Sequence, residues 1–159
     1  MGVEIERKFL LKSADWRTQV SHHSSIRQGY LSRDAQSAVR IRISDSKANI
    51  NIKSTRDGIY RLEYEYDIPL QDAEELLKLV AHRPLIEKIR HIVHWGDHRW
   101  EIDEFFGDND GLVVAEVELA DVDEVFERPP WLGEEVSTDA RYYNSNLSKV
   151  PYHSWKGQP

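Results

Sequence analysis

The chain has 159 residues, a size for one domain, and its 40% hydrophobic and 31% charged content is that of a folded globular protein rather than a disordered one. It has no cysteine, which excludes disulfides, thiolate catalysis and cysteine-based zinc sites. With 28 acidic and 21 basic side chains the net charge is −7, so nucleic-acid backbone is repelled unless the bases are gathered in one place.

Period-two alternation dominates from the first residues onward, the pattern of half-buried strands. It runs through Val3–Phe9, Ile26–Leu31, Val39–Ile43, Ile50–Lys53 and Arg61–Tyr66, and returns in Lys88–Arg90, Glu101–Asp103 and Ala115–Leu119. These segments predict about eight strands. Ser44–Lys47, Asp57-Gly58, Trp95–His98 and Gly107–Gly111 are turn-forming links, short enough to favour antiparallel neighbours. Between the fifth and sixth strands, Leu70, Ala73, Leu76, Leu77 and Val80 fall at helical spacing behind Pro69. A second helical region is expected after Leu119, around Val122, Val125 and Phe126, and a third over Asp139–Lys149, with Pro129-Pro130-Trp131 as a rigid corner between them. There is no apolar run of membrane-spanning length, and the charged N-terminus lacks the apolar stretch of a signal peptide. A cytoplasmic protein without membrane attachment is expected.

The alternating positions separate by chemistry. One face carries Glu4, Glu6, Lys8, Arg40, Arg42, Lys53, Arg61, Glu63, Glu65, Lys88, Arg90, Glu101, Asp103, Glu116 and Glu118; the other carries Val3, Ile5, Phe9, Val39, Ile41, Ile43, Ile50, Ile52, Leu62, Tyr64, Tyr66, Ile89, Ile102, Val117 and Leu119. For any single strand the ordinary reading is a solvated charged face over a sandwich core. Against it stands the segregation of sign by strand: Arg40 with Arg42, Lys88 with Arg90, Glu116 with Glu118. A closed barrel of about eight strands has room for side chains or one small ligand. Aligned bases inside one would repel each other, unless a polyanion belongs among the bases and a divalent cation among the acids.

Glu4-Ile5-Glu6-Arg7-Lys8 forms a Glu-x-Glu-x-Lys motif on the first strand. It is followed in order by Gln28-Gly29-Tyr30, Arg40-Ile41-Arg42, Lys53, Arg61–Glu65, Lys88-Ile89-Arg90, Ile102-Asp103 and Glu116-Val117-Glu118. This series resembles the CYTH superfamily, the triphosphate tunnel metalloenzymes. The tail Pro130–Val136, with Arg141-Tyr142 and Asn144, looks like that of the small bacterial members.

The resemblance implies a mainly β, α+β fold: a closed eight-stranded antiparallel barrel with a charged lumen and helices packed outside. It implies one domain over residues 1–159, with tunnel strands at about 3–120 and a C-terminal helical segment at about 121–159. It also implies a triphosphate substrate and Mg²⁺ or Mn²⁺. In that setting Glu4, Glu6, Glu116, Glu118 and Asp103 are candidate metal ligands, since carboxylates are hard oxygen donors. Lys8, Arg40, Arg42, Lys53, Arg61, Lys88 and Arg90 are candidate phosphate clamps. Lys8, Glu63 and Lys88 are candidate catalytic groups; Glu65, Glu101 and Tyr30 are candidate tunnel supports, with a Lys8–Tyr30 hydrogen bond expected from the resemblance. Arg141 is a further candidate at the phosphate entrance, and the seven histidines are expected at the surface or in packing roles.

The expected reaction is hydrolysis of inorganic tripolyphosphate or a related small triphosphate, ATP and thiamine triphosphate included, by a monomer or homodimer. A class IV-type adenylate cyclase and a non-catalytic polyphosphate- or nucleotide-binding module are the alternatives. An RNA 5′-triphosphatase is disfavoured by the acidic balance, and nucleic acid is not an expected partner.

Overall fold

Each alternating segment is a strand in the computed structural model, which describes residues 2–34, 36–55 and 57–155. Strands β1 (Gly2–Leu11), β2 (Val20–Ser32), β3 (Ser37–Ser44), β4 (Lys47–Ser54) and β5 (Tyr60–Ile68) precede helix α1 (Leu70–Leu79). Strands β6 (Ile86–Trp95), β7 (His98–Phe106) and β8 (Val113–Glu118) follow it. All pairings are antiparallel, in the order β5-β4-β3-β2-β6-β7-β8-β1. The ring closes because β1 divides its partners: Gly2–Ile5 pair with β5, while Glu6–Leu10 pair with β8. Closure removes the unpaired edges that an open sheet would expose.

Tight hairpins make this ring possible. Asp45 (φ 53°) and Gly96 (φ 59°) occupy the left-handed region that two-residue hairpin loops require. Gly29 serves a different need: a Cβ there would lie 2.7 Å from the Leu85 side chain and 2.9 Å from that of Ala81. Its absence lets β2 pass close beneath the residues that follow α1.

The apolar face of the strands points outward and is covered in two places. Ala73 and Leu77 of α1 pack on Ile41, Ile43 and Ala48. On the other side Ile5, Phe9, Trp100, Ile102, Ala115 and Val117 are covered by Trp16, Trp131, Leu132 and Phe126. A third cluster lies inside the barrel at one end. Tyr30, Ala38, Ile86, Phe105 and Val114 are in phase with the charged lumen residues, and they meet Leu147, Tyr142, Tyr152 and Trp155 of the C-terminal segment. The barrel is thus polar inside over most of its length and plugged with apolar side chains at one end.

Two predicted helices take other forms. The segment after Leu119 is a turn followed by extended chain, then a ninth strand, β9 (Leu132–Glu135), which pairs with Phe9 and Leu11 of β1 on the edge that β5 has left. Phe126 stacks edge-on against Phe9, His98 and Trp100 at 5.6 to 6.0 Å, while Val122 and Val125 stay exposed, so no helical apolar face exists. Glu124 accepts from the Ala120 amide and pairs with His98, holding the turn, and Pro129-Pro130 bars a helix beyond it. In place of a helix over Asp139–Lys149 there is a 3-10 turn, Ala140–Tyr142, capped by Asp139, and a one-turn helix α2 (Asn144–Leu147). This segment is pinned to β1, where the Lys8 amide donates to Ser137 Oγ (2.9 Å) and the Val136 amide donates to the Lys8 carbonyl (2.8 Å). No helix among the described residues is long and apolar enough to cross a membrane.

Candidate active site

Lumen-facing side chains surround a cavity of about 170 Å³. Every predicted site residue lines it except Asp103 and Arg141, and Tyr143, Asn144 and Ser145 of the C-terminal segment join them. Strand identity sorts the charges: β3 supplies Arg40 and Arg42, β6 supplies Lys88 and Arg90, β1 supplies Glu4 and Glu6, and β8 supplies Glu116 and Glu118.

Most of these charges are paired across the lumen. Lys53 Nζ lies 3.3 Å and Arg61 Nε 3.7 Å from Glu4 Oε2. Lys8 Nζ lies 3.2 Å from Glu116 Oε1 and donates to the Tyr142 carbonyl at 3.0 Å, instead of engaging the Tyr30 hydroxyl. Tyr30 is buried in the apolar plug, its ring against Ile86, Phe105 and Val114. Glu63 accepts from Asn51 at 3.0 Å, and Glu101 from Arg90 at 3.2 Å.

Arg40 and Arg42 are the exception. Among the described residues neither has a carboxylate partner; Arg40 is buried with its Nε unbonded, and Arg42 donates only to the neutral Gln28 side chain, at 2.8 Å. Enclosure is the main reason that Arg42 is pushed down to about 9, with repulsion from Arg40 and Arg90 adding to it. Burial likewise lowers Lys53 to about 8, with Arg40 again opposing its charge. It lowers Lys88 to about 7 even though Asp103 Oδ2 lies at 2.8 Å, with Arg90 and Arg42 reinforcing the shift. The acids show the mirror image: burial and the carboxylates of Glu4, Glu101, Glu6 and Glu63 push Glu118 up. Burial and like-signed neighbours thus oppose the charged forms of Arg42, Lys53, Lys88 and Glu118 alike.

Asp103 lies outside the lumen surface. Its carboxylate is fully buried, chelated by Arg90 through two bonds of 2.8 and 2.9 Å and bonded by Lys88. Although burial opposes ionisation, these two cations hold it far below the usual carboxylate range. Both of its oxygens are engaged by these bases. Arg141 also sits away from the cavity, exposed, forked onto Asp139 and stacked on Tyr142 and Trp155.

Glu4, Glu6, Glu116 and Glu118 provide the oxygen donors that a hard divalent ion takes, and Glu4 Oε2 is buried without a hydrogen bond. Among the described residues, however, no three acids or histidines are gathered closely enough to hold a metal unaided. Glu4 leans to Lys53 and Glu116 to Lys8, so these acids fit a metal that shares its coordination with an anionic ligand. The histidines are elsewhere: His91 bonds Glu104 at 3.1 Å beside Trp16, and His98 bonds Glu124.

Gln28, Asn51 and Asn144 carry no charge, so a search for full charges passes over them. Gln28 and Asn51 are recoverable from period two, being in phase with Tyr30 and Lys53 on their strands. Asn144 is not, because its segment has no period and its partner Gln28 is 116 positions away.

Comparison with known proteins agrees with this geometry. The family profile described as the CYTH domain matches residues 2–152. The chain is 46% identical over 156 residues to an inorganic triphosphatase of Acetivibrio thermocellus, covering 98% of this chain and 99% of that protein. It is 36% identical over 149 residues to an inorganic triphosphatase of Nitrosomonas europaea, covering 91% and 96% respectively. A crystal structure of an inorganic triphosphatase superposes with a TM-score of 0.67 at 34% identity, covering 93% of this chain and 95% of the other. A closed barrel lined by sign-sorted charges and a profile match along nearly the whole chain lead to one assignment: this protein is a member of the CYTH domain family.

Proposed function

We propose that this protein hydrolyses the terminal phosphoanhydride bond of inorganic tripolyphosphate inside the barrel, in a reaction dependent on a divalent metal, Mg²⁺ or Mn²⁺. One observation carries the reading most: Arg40 and Arg42 are held in the cavity with no carboxylate in ion-pair contact among the described residues, beside lysines depressed toward neutrality. Such a cluster is stable when a compact polyanion completes it. The names of the relatives agree with that choice.

Glu4, Glu6, Glu116 and Glu118 would hold the metal, which when bound would supply neutralising charge on the phosphates and acidify a water molecule. Arg40, Arg42, Lys53, Lys88 and Arg90 grip the phosphate chain, joined by Lys8 and Arg61. Water attacks the terminal phosphorus, the bridging P–O bond breaks, and these bases stabilise the charge that develops on the departing pyrophosphate. Glu63 is the lumen carboxylate we assign to receive the proton released by the attacking water. Asp103, Glu65 and Glu101 hold the bases in place.

An inorganic substrate is favoured over a nucleotide by the wall itself. Among the described residues, every one lining the cavity apart from Ala38, Tyr30 and Tyr143 is charged or amide- or hydroxyl-bearing, which leaves little surface on which a base would stack. A cytoplasmic location is part of this proposal.

The test is phosphate release by purified protein from tripolyphosphate, ATP and thiamine triphosphate, each with Mg²⁺ and with Mn²⁺. Tripolyphosphate should give orthophosphate and pyrophosphate in equal amounts and be turned over fastest. No release above background with either metal rejects the proposal, and cyclic AMP from ATP replaces it with the cyclase.

A further inference from the structure

The bases of the lumen need an orientation as well as a charge, and two neutral amides provide it at the plugged end. Gln28 is fully buried on β2, and its Oε1 accepts from Arg42 Nε at 2.8 Å. Its Nε2 donates to Asn144 Oδ1 at 2.8 Å, and the same oxygen accepts from Lys88 Nζ at 3.0 Å. The directions are mutually consistent: two cations can only donate, so Gln28 must turn its oxygen to Arg42 and its amide to Asn144.

We propose that Gln28 and Asn144 form a positioning relay that fixes Arg42 and Lys88 for phosphate, so that the C-terminal segment completes the active site. The donors left over carry the inference. Binding through Nε leaves both terminal nitrogens of Arg42 for a two-pronged grip on phosphate. Lys88 has three donors; Asp103 and Asn144 take two, and one remains. A neutral acceptor at position 144 also restrains the ammonium without adding a negative charge beside the incoming phosphate. The amide is delivered by the docking of the segment: Leu147 is buried in the plug and Ser137 is bonded to the Lys8 backbone.

The inference rests on the triphosphate reading and is tested so that the two can fail separately. Gln28→Met and Asn144→Leu keep volume and remove the polar links. For each single variant and the double, tripolyphosphate kcat and KM are measured with Mg²⁺. Tripolyphosphate affinity is measured by calorimetry in EDTA, and melting temperature alongside. Loss of a hydrogen bond to a charged group should weaken metal-free affinity about ten-fold and lower kcat/KM by roughly ten- to a hundred-fold. The double variant should be no worse than the weaker single, because the two side chains act as one unit.

Unchanged metal-free affinity and KM, with kcat lowered only by the fraction unfolded, overturns the relay, as do losses that multiply in the double variant. Should Asn144→Leu not fold, Gln28→Met on the barrel wall decides by the same affinity measurement. Wild-type protein that binds tripolyphosphate without turning it over sinks the hydrolase while leaving the relay measurable.

Discussion

At the scale of single residues the site is a set of charges held away from their preferred state. Lys88 at about 7 and Lys53 at about 8 are partly neutral near physiological pH, because burial and neighbouring arginines disfavour their ammonium forms. A bound polyanion reverses that balance and raises both values. Between the values of the empty and the occupied protein the complex holds more protons, so binding takes up protons and affinity falls as pH rises. At pH 8 without metal, the lysines should take up protons as tripolyphosphate binds, read by calorimetry in buffers of different ionisation enthalpy and compared with Lys88→Met so that the ligand's own titration cancels. Lys88→Met should show the smaller uptake. Equal uptake in the wild type and in Lys88→Met would show that Lys88 is already charged before the anion binds.

The secondary-structure elements divide between those that cover the barrel and those that shape its interior, and truncation should tell them apart. Leu77 of α1 packs on the outer face with Ala73, against Ile41 and Ile43. Leu147 of α2 packs inside, against the lumen plug. Leu77→Ala and Leu147→Ala should each cost about 2–5 kcal/mol in urea denaturation, the usual cost of a cavity in a packed core. Only Leu147→Ala should also raise KM for tripolyphosphate, since it unseats the helix that carries Asn144. Equal KM values in the two variants would contradict this division. The eight barrel strands and α1 were legible in the sequence because their apolar spacing is regular over at least one face. Strand β9 was not: Leu132-Gly133-Glu134-Glu135 has no alternation to display, and its partner edge exists only once β5 has diverged from β1.

The whole molecule reconciles a net charge of −7 with a polyanionic substrate by placement. Among the described residues seven bases and seven acids line the cavity, so the acidic excess lies outside it, where it discourages long nucleic acids. Tripolyphosphate should therefore act as a structural ligand. At a hundred times its dissociation constant, in EDTA, it should stabilise the folded state by about 2.7 kcal/mol, a rise in melting temperature of roughly 5–10 °C for a chain of this size. Orthophosphate at equal concentration should do far less, as it spans fewer of the bases. Equal shifts from the two anions would indicate general charge screening in place of a built site.

Which residues share a face was decided by the sequence alone, because alternation is a local property of extended backbone and needs no knowledge of a strand's neighbours. Arg40 with Arg42 and Glu116 with Glu118 are readable on that basis, and so is the placing of Ile41 and Val117 on the opposite face; that the charged face turns inward follows from closure of the ring. What each lumen residue does depended on tertiary structure. Asp103 shares the charged face, yet Arg90 and Lys88 close over it. Lys8 finds the Tyr142 carbonyl, and Lys88 finds Asn144, across 134 and 56 positions of chain. Ile86, Phe105 and Val114 share the same phase as the charges and close one end. Counter-ions and closure depend on distances between segments remote in the chain, and periodicity within one strand has no information about those distances.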